Sequence, residues 1–217
     1  GGAKVSDKIT VIEMLIDKVD SFIIGGAMAY TFLAAQGVPV GTSRVEKDKV
    51  KFAGDLLARM DARGKKIYLP VDHVIVPEFT AVDKRKITKD ASIEPGWMGV
   101  DIGPKTRELY AQVIAGAKTI FWNGPMGVFE TAELAEGTFA VAKAMANSSA
   151  TTIVGGGDSA AAAHESGYAD KMSHISTGGG ASLEYLEGAK LPGVEALRPP
   201  KRSEAQGLQA FKIEEEQ

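Results

Sequence analysis

Thr151-Thr-Ile-Val-Gly-Gly-Gly-Asp-Ser159 is the stretch that decides the fold of this chain. The β-branched run predicts a strand, Gly155, Gly156 and Gly157 predict a bare turn, and the alanines that follow predict a helix. Without Cβ atoms, such a turn lets backbone N–H groups approach a ligand, and a helix N-terminus favours an anion such as phosphate. Asp158 is unexpected beside an anion unless a metal lies between them, which suggests Mg²⁺ carried on a nucleotide phosphate.

Strand and helix patterns alternate outward from this stretch in both directions. The apolar runs predict strands at residues 21–24, 66–71, 118–122, 151–154 and 173–176. The periodic segments predict helices at residues 9–19, 27–36, 45–60, 104–116, 131–147 and 181–187, with Ser6 as an N-cap of the first. Residues 74–103 look irregular, with short strands. This order predicts an α/β fold: a doubly wound, mostly parallel sheet with helices on both faces, a Rossmann-like three-layer sandwich.

Composition excludes several classes of protein. The chain has 217 residues, of which 24% are charged and 44% hydrophobic, as in an ordinary globular domain. The net charge of −3 argues against a nucleic-acid or membrane-surface partner. Without any cysteine, a disulfide framework and a thiolate metal site are impossible. No apolar run reaches the roughly 18 residues of a membrane span.

The glycine turn alone leaves alternatives open. Gly155 to Ala160 also fits the G-x-G-x-x-A pattern of dinucleotide folds, but the next strand ends in Ser176-Thr177 rather than in an acid. A tight turn that merely closes a helix onto a sheet is a further possibility. No P-loop pattern occurs in the chain.

Other candidate residues also have two interpretations each. Lys4 and Lys8 lie four residues apart, as in a phosphate clamp or as two solvated lysines. Gly178-Gly179-Gly180 opens a helix and offers N–H groups to developing charge, or only caps the helix. The three histidines and both tryptophans are interpreted as structural.

Several specific stretches occur together in a fixed order: GGAKVSDK (1–8), IIGGAMAYTF (23–32), LPVDHV (69–74), GWMGVDIGP (96–104), WNGPMGVFE (122–130), IVGGGDSAAA (153–162), SHISTGGGASLEYLEG (173–188) and LPGVEAL (191–197). In this combination the chain resembles the C-terminal, nucleotide-binding domain of phosphoglycerate kinase. The resemblance implies a domain over residues 1–197 and a C-terminal extension over 198–217. It also implies a cytoplasmic enzyme, with an organelle such as a glycosome or plastid as the alternative location.

That family transfers a phosphoryl group between 1,3-bisphosphoglycerate and MgADP, giving 3-phosphoglycerate and MgATP. The resemblance implies that Lys4 contacts the transferred group and Lys8 the nucleotide α-phosphate. Gly178 and Gly179 match amides that face the transferred group. Catalysis of this kind relies on alignment and charge neutralisation rather than on a strong base.

The resemblance implies the nucleotide site as well. Asp158 matches the acid linked to Mg²⁺, Ser159 a hydroxyl residue at the helix start, and Glu130 the acid that binds the ribose. The remaining nucleotide-binding positions are Gly155, Gly156 and Gly157 of the turn, Asn123 and Pro125, the adenine-slot glycines Gly2, Gly25 and Gly26, and Val128 as an apolar wall.

Two departures from the family limit the expected activity. No part of the chain matches the family's N-terminal domain, and the strand that precedes Gly1 in the family is missing, so two strands should lack a partner on one side. We expect a half-enzyme that binds ADP and ATP with negligible turnover. The alternatives are a non-catalytic nucleotide-binding or scaffolding protein and a nicotinamide-dependent oxidoreductase.

Overall fold

The computed structural model describes residues 1–176, 178 and 180–199. The strands are β1 (Ser21–Ile23), β2 (Lys66–Tyr68), β3 (His73–Val76), β4 (Lys86–Ile87), β5 (Met98–Ile102), β6 (Thr119–Trp122), β7 (Thr151–Val154) and β8 (His174–Ile175). The α-helices are α1 (Ile9–Leu15), α2 (Met28–Ala35), α3 (Val50–Asp61), α4 (Pro104–Ala115), α5 (Glu136–Ala146), α6 (Gly157–Glu165), α7 (Ala181–Leu186) and α8 (Pro192–Ala196).

The parallel strands confirm the predicted α/β class. β1 pairs with β2, and β6, β7 and β8 pair in that order, all in parallel. Among the described strands, β1 pairs with β2 alone, and β6 pairs with β7 alone. The core contains two apolar clusters: one around Trp122, Tyr110 and Met145, and one around Phe32 and Leu56.

The segment predicted to be irregular contains a small antiparallel sheet in the order β4-β3-β5. All four residues of β3 are buried, so its sequence lacks the alternation that reveals an antiparallel strand. A bulge between Val74 and Ile75 shifts the register against β5. The sheet packs through Val74, Val76 and Val100 against Leu134.

Two predicted elements end earlier in the structure than the sequence suggested. The strand predicted to reach Val71 ends at Tyr68, and Asp72 instead caps α4: its carboxylate accepts bonds from the Lys105 and Thr106 N–H groups at 3.0 and 2.8 Å. Helix α1 ends at Leu15 rather than Val19.

The start of the chain also differs from its prediction. Residues Ser6–Lys8 form a separate 3-10 turn before α1, and no side chain caps either element at its own N-cap position. Ser6 is therefore not the N-cap of the first helix. Its hydroxyl instead donates a hydrogen bond to Glu46, 2.5 Å away.

The histidine prediction holds in detail for His73, which is fully buried in β3. Its ring lies 5.4 Å from that of Tyr30, and its Nε2 contacts the Ala91 carbonyl at 3.1 Å. Burial lowers the pKa of His73 to about 4, so the ring is neutral at physiological pH. Of the helices in the described part of the chain, none is long and apolar enough to span a membrane.

Candidate functional site

The loop between β7 and α6 has the strand–turn–helix geometry that the sequence predicts. Gly156 adopts φ +93°, a conformation that favours glycine, and α6 begins at the next residue. A Cβ on Gly157 would meet nothing within 4 Å, so this part of the turn is open. Asp158 is exposed in the first turn of α6. The open turn, the helix N-terminus and an exposed carboxylate therefore lie together.

The loop that follows β6 packs directly onto this turn. The amide of Asn123 donates to the Gly155 carbonyl at 2.6 Å. The Gly124 N–H donates to the buried Ser159 hydroxyl at 2.6 Å, so Ser159 bonds to protein here. Gly155 N–H in turn donates to the Trp122 carbonyl at 2.9 Å. These bonds fix the two loops relative to each other at the carboxyl ends of adjacent strands.

The first residues of the chain close the same junction from the other side. The ammonium of Lys8 donates to the Asn123 side-chain oxygen, so this one amide binds both Lys8 and the Gly155 turn. Burial lowers the pKa of Lys8, against the opposing charges of Asp7, Asp158 and Glu187. Lys8 is half-buried and interacts electrostatically with Asp158, whereas Lys4 is exposed.

A second group of glycines lies where β1 ends. Gly26, at φ +70°, donates its N–H to the Met126 carbonyl at 2.9 Å, and Gly2 donates to the Pro125 carbonyl at 3.1 Å. A Cβ on Gly26 would lie 2.5 Å from the Gly2 carbonyl oxygen, and one on Gly25 would lie 2.3 Å from the Met126 sulfur. Only glycine allows the loops after β1 and β6 to approach each other this closely.

Val128 and Glu130 lie further along the loop after β6. Val128 is half-buried, and its N–H donates to the Val100 carbonyl at 2.9 Å. It packs against the cluster around Val74 and Leu134, so part of the predicted apolar wall belongs to the core. Glu130 is exposed in the turn that follows.

The turn before α7 is described in part. Gly178 is exposed, and its carbonyl accepts a hydrogen bond from Ala181 at 3.0 Å, while Gly179 lies outside the described residues. A Cβ on Gly155 would come within 3.3 Å of Cβ of Ser182, so the first turn of α7 borders the Gly155 loop. The predicted tail is described only as far as Pro199.

Two residues at this site escaped the sequence-based prediction. Met126 fills the space beside Gly25, and Glu46 binds the segment between Lys4 and Lys8. Glu46 carries no local signal because its partners lie 40 and 41 residues away. The need for a distant acceptor becomes visible only in the structure, where the 3-10 turn has no capping side chain of its own.

A resident metal centre would need several ligands at one place. Within residues 1–176, 178 and 180–199, no group of three or more histidine or acidic side chains comes together. Asp158 supplies an exposed carboxylate at the Gly155 turn. It fits a cation that brings most of its own ligands, such as Mg²⁺ on a nucleotide, better than a protein-caged ion.

Comparison with known proteins points to one family. The family model described as phosphoglycerate kinase matches residues 1–189. Phosphoglycerate kinase of Clostridium novyi is 61% identical over 197 residues, which is 91% of this chain and 50% of that protein. The protein of the same name from Bdellovibrio bacteriovorus is 61% identical over 198 residues, or 91% and 49%.

Solved structures give the same result. The structure of phosphoglycerate kinase from Coxiella burnetii superposes with a TM-score of 0.85 at 42% identity, covering 90% of this chain and 50% of that one. The crystal structure from Pyrococcus horikoshii gives a TM-score of 0.77 at 35% identity, covering 91% and 50%. The chain spans about half the length of the relatives it matches.

Proposed function

The chain belongs to the phosphoglycerate kinase family, and we propose that it is the nucleotide-binding half of such an enzyme. In this proposal it binds MgADP and MgATP at the carboxyl ends of β1, β6 and β7. The observation that supports it most is the junction at Asn123, where one amide joins Lys8 to the Gly155 turn. A cation, a bare turn and a helix N-terminus then face one place, as binding of a polyphosphate requires.

The phosphate end of the nucleotide lies in this proposal at the Gly155 turn. Lys8 contacts the inner phosphate, and Lys4, which is exposed, extends toward the group being transferred. The N–H groups at the start of α6 and the exposed Gly178 face the same charge. Mg²⁺ bound with the nucleotide neutralises part of the phosphate charge, and Asp158 is the residue that would hold it.

The adenosine end lies on the glycines. Gly2, Gly25 and Gly26 present backbone without side chains next to Pro125, which suits a flat base. The exposed Glu130 is the residue that would accept the ribose hydroxyls, and Val128 offers only its uncovered part as a wall. No side chain has to remove a proton, because the attacking oxygen is already anionic.

The substrates of transfer, 1,3-bisphosphoglycerate and 3-phosphoglycerate, engage in this proposal only together with an N-terminal domain. Since the chain corresponds to about half of its relatives, we expect it alone to bind nucleotide with negligible turnover. A normal turnover rate of the purified chain in a coupled assay would refute that. A recombinant N-terminal half of a relative, added in trans, should restore measurable activity.

The binding itself is tested by calorimetry with ADP, with and without Mg²⁺. Asp158→Asn should weaken binding of MgADP about tenfold, or about 1.4 kcal/mol, and leave metal-free ADP within about twofold. Asp170→Asn, which changes an exposed acid of the Ala169–Lys171 turn, is the matched control. Equal losses with and without the metal would contradict the assigned role of Asp158.

The second candidate function is a nucleotide-binding protein without catalysis. It keeps the same cleft and therefore predicts the same binding of MgADP. The complementation assay distinguishes the two candidate functions, because only the half-enzyme regains activity when the N-terminal half is added. Preferential binding of NAD over ADP would instead favour a nicotinamide-dependent enzyme.

A further inference from the structure

Glu46 joins the loop before α3 to the start of the chain. Its carboxylate accepts hydrogen bonds from the Val5 N–H, from the Ser6 N–H at 3.2 Å and from the Ser6 hydroxyl at 2.5 Å. Burial opposes ionisation of Glu46, but the bonds from Ser6 and Val5 outweigh it and lower the pKa of the carboxyl group. Glu46 is therefore a charged acceptor for this segment at neutral pH.

Both sides of this contact are anchored in the core. The Glu46 N–H donates to the Thr31 hydroxyl at 3.1 Å, and Thr31 is a buried residue of α2. Val5, whose N–H bonds to the carboxylate, is completely buried in the cluster around Phe32 and Leu56. The contact thus connects two fixed points rather than two mobile surface segments.

The contact lies between the two lysines assigned to the phosphates. Lys4 immediately precedes Val5, and Lys8 closes the 3-10 turn, with its N–H donating to the Val5 carbonyl at 2.9 Å. No side chain of the turn caps its own first N–H groups, so Glu46 supplies the acceptor from a distance. A displacement of Val5 and Ser6 would move both ammonium groups.

We propose that Glu46 is a positioning residue, which fixes the spacing and direction of Lys4 and Lys8 toward the phosphates of a bound nucleotide. The inference rests on the proposed function of this site. Glu46 itself touches no substrate, since its carboxylate faces the backbone of residues 5 and 6. Its effect should therefore be confined to the part of binding that depends on phosphate.

The test compares MgADP with adenosine, which has no phosphate. Glu46→Ala should weaken MgADP binding about five- to tenfold, as loss of a charged cap does, and leave adenosine within about twofold. Glu46→Gln keeps one acceptor oxygen, so its affinity for MgADP should lie between that of the wild type and that of Glu46→Ala. Asp48→Asn, an exposed acid in the same loop, is the matched control and should bind like the wild type.

A double-mutant cycle shows whether Glu46 acts through the lysines. In a background of Lys4→Met with Lys8→Met, the effect of changing Glu46 should shrink to less than about twofold. If Glu46→Ala does not fold, as thermal unfolding will show, the cycle is run with Glu46→Gln.

Three results would overturn the inference, and they differ from a failure of the proposed function. Equal loss of MgADP and adenosine would mean general loosening, and an undiminished effect without the lysines would mean that Glu46 acts elsewhere. Wild-type affinity in Glu46→Ala would exclude any positioning role. If the wild-type chain itself binds no MgADP, the proposed function fails and the inference with it.

Discussion

Replacing Asn123 by alanine is the most direct test of the junction at the Gly155 turn. The change removes the acceptor of the Lys8 ammonium and the donor to the Gly155 carbonyl, 2.6 Å away. The bond to charged Lys8 contributes about 1.5 kcal/mol, and the neutral one about 1 kcal/mol. Because Gly155 is buried, its carbonyl also loses a partner that solvent replaces poorly. We expect the free energy of unfolding to fall by about 2–3 kcal/mol.

Urea denaturation followed by tryptophan fluorescence measures this change. Asn147→Ala, at the exposed C-cap of α5, is the matched control and should stay within about 0.5 kcal/mol of the wild type. A cycle with Lys8→Met isolates the bond between Lys8 and Asn123 and should give a coupling free energy of about 1.5 kcal/mol. A loss below about 0.5 kcal/mol in Asn123→Ala, or a coupling near zero, would refute the reasoning.

Three further predictions concern the same structure. Ser159→Ala leaves the Gly124 N–H without its buried acceptor and should lower the free energy of unfolding by about 1–3 kcal/mol in urea denaturation; unchanged stability would contradict this. Gly26→Ala brings a Cβ within 2.5 Å of the Gly2 carbonyl oxygen at φ +70°, so we expect the free energy of unfolding to fall by about 2 kcal/mol or more in thermal unfolding; an unchanged melting temperature would contradict this. His73 has a pKa of about 4 in the folded chain and about 6.5 when unfolded, so the unfolded chain binds the proton first. Stability should therefore fall by up to about 3 kcal/mol as the pH drops from about 6.5 to about 4. His73→Gln should remove that part of the slope, and an NMR titration midpoint of His73 near 6.5 would exclude the effect.

The strand–turn–helix unit at residues 151–165 could be predicted because its signals are local. The β-branched run, the glycines and the alanines each favour one structure, and the turn connects neighbouring elements. The family resemblance is confirmed by the match over residues 1–189. The roles assigned to individual site residues remain predictions, although the structure brings Lys8, Asn123 and the Gly155 turn together.

The contacts that escaped prediction are those between segments distant in sequence. Glu46 looks like an ordinary surface acid until the fold places it beside Val5, 41 residues away. Ser159 resembles a ligand-binding hydroxyl at a helix start, yet its hydroxyl oxygen accepts a hydrogen bond from the Gly124 N–H. The antiparallel sheet was hidden because β3 is buried along its full length and so shows no alternation. In each case the tertiary partner, not the local propensity, decides the role.

The junction also affects how readily Asn123 is deamidated. In an Asn-Gly dipeptide such as Asn123-Gly124, the glycine nitrogen readily attacks the preceding side-chain amide, which releases ammonia and forms a succinimide ring. Water then opens that ring and leaves a carboxylate. Here both the oxygen and the nitrogen of that amide are hydrogen-bonded, and the Gly124 N–H donates to the Ser159 hydroxyl, so the attack requires these bonds to break. The folded chain should therefore deamidate at this position far more slowly than a peptide of the same sequence. After deamidation, the amide that donates to the Gly155 carbonyl would be replaced by a negatively charged carboxylate beside the turn assigned to phosphate. A single chemical change would therefore remove a hydrogen bond that joins the two loops.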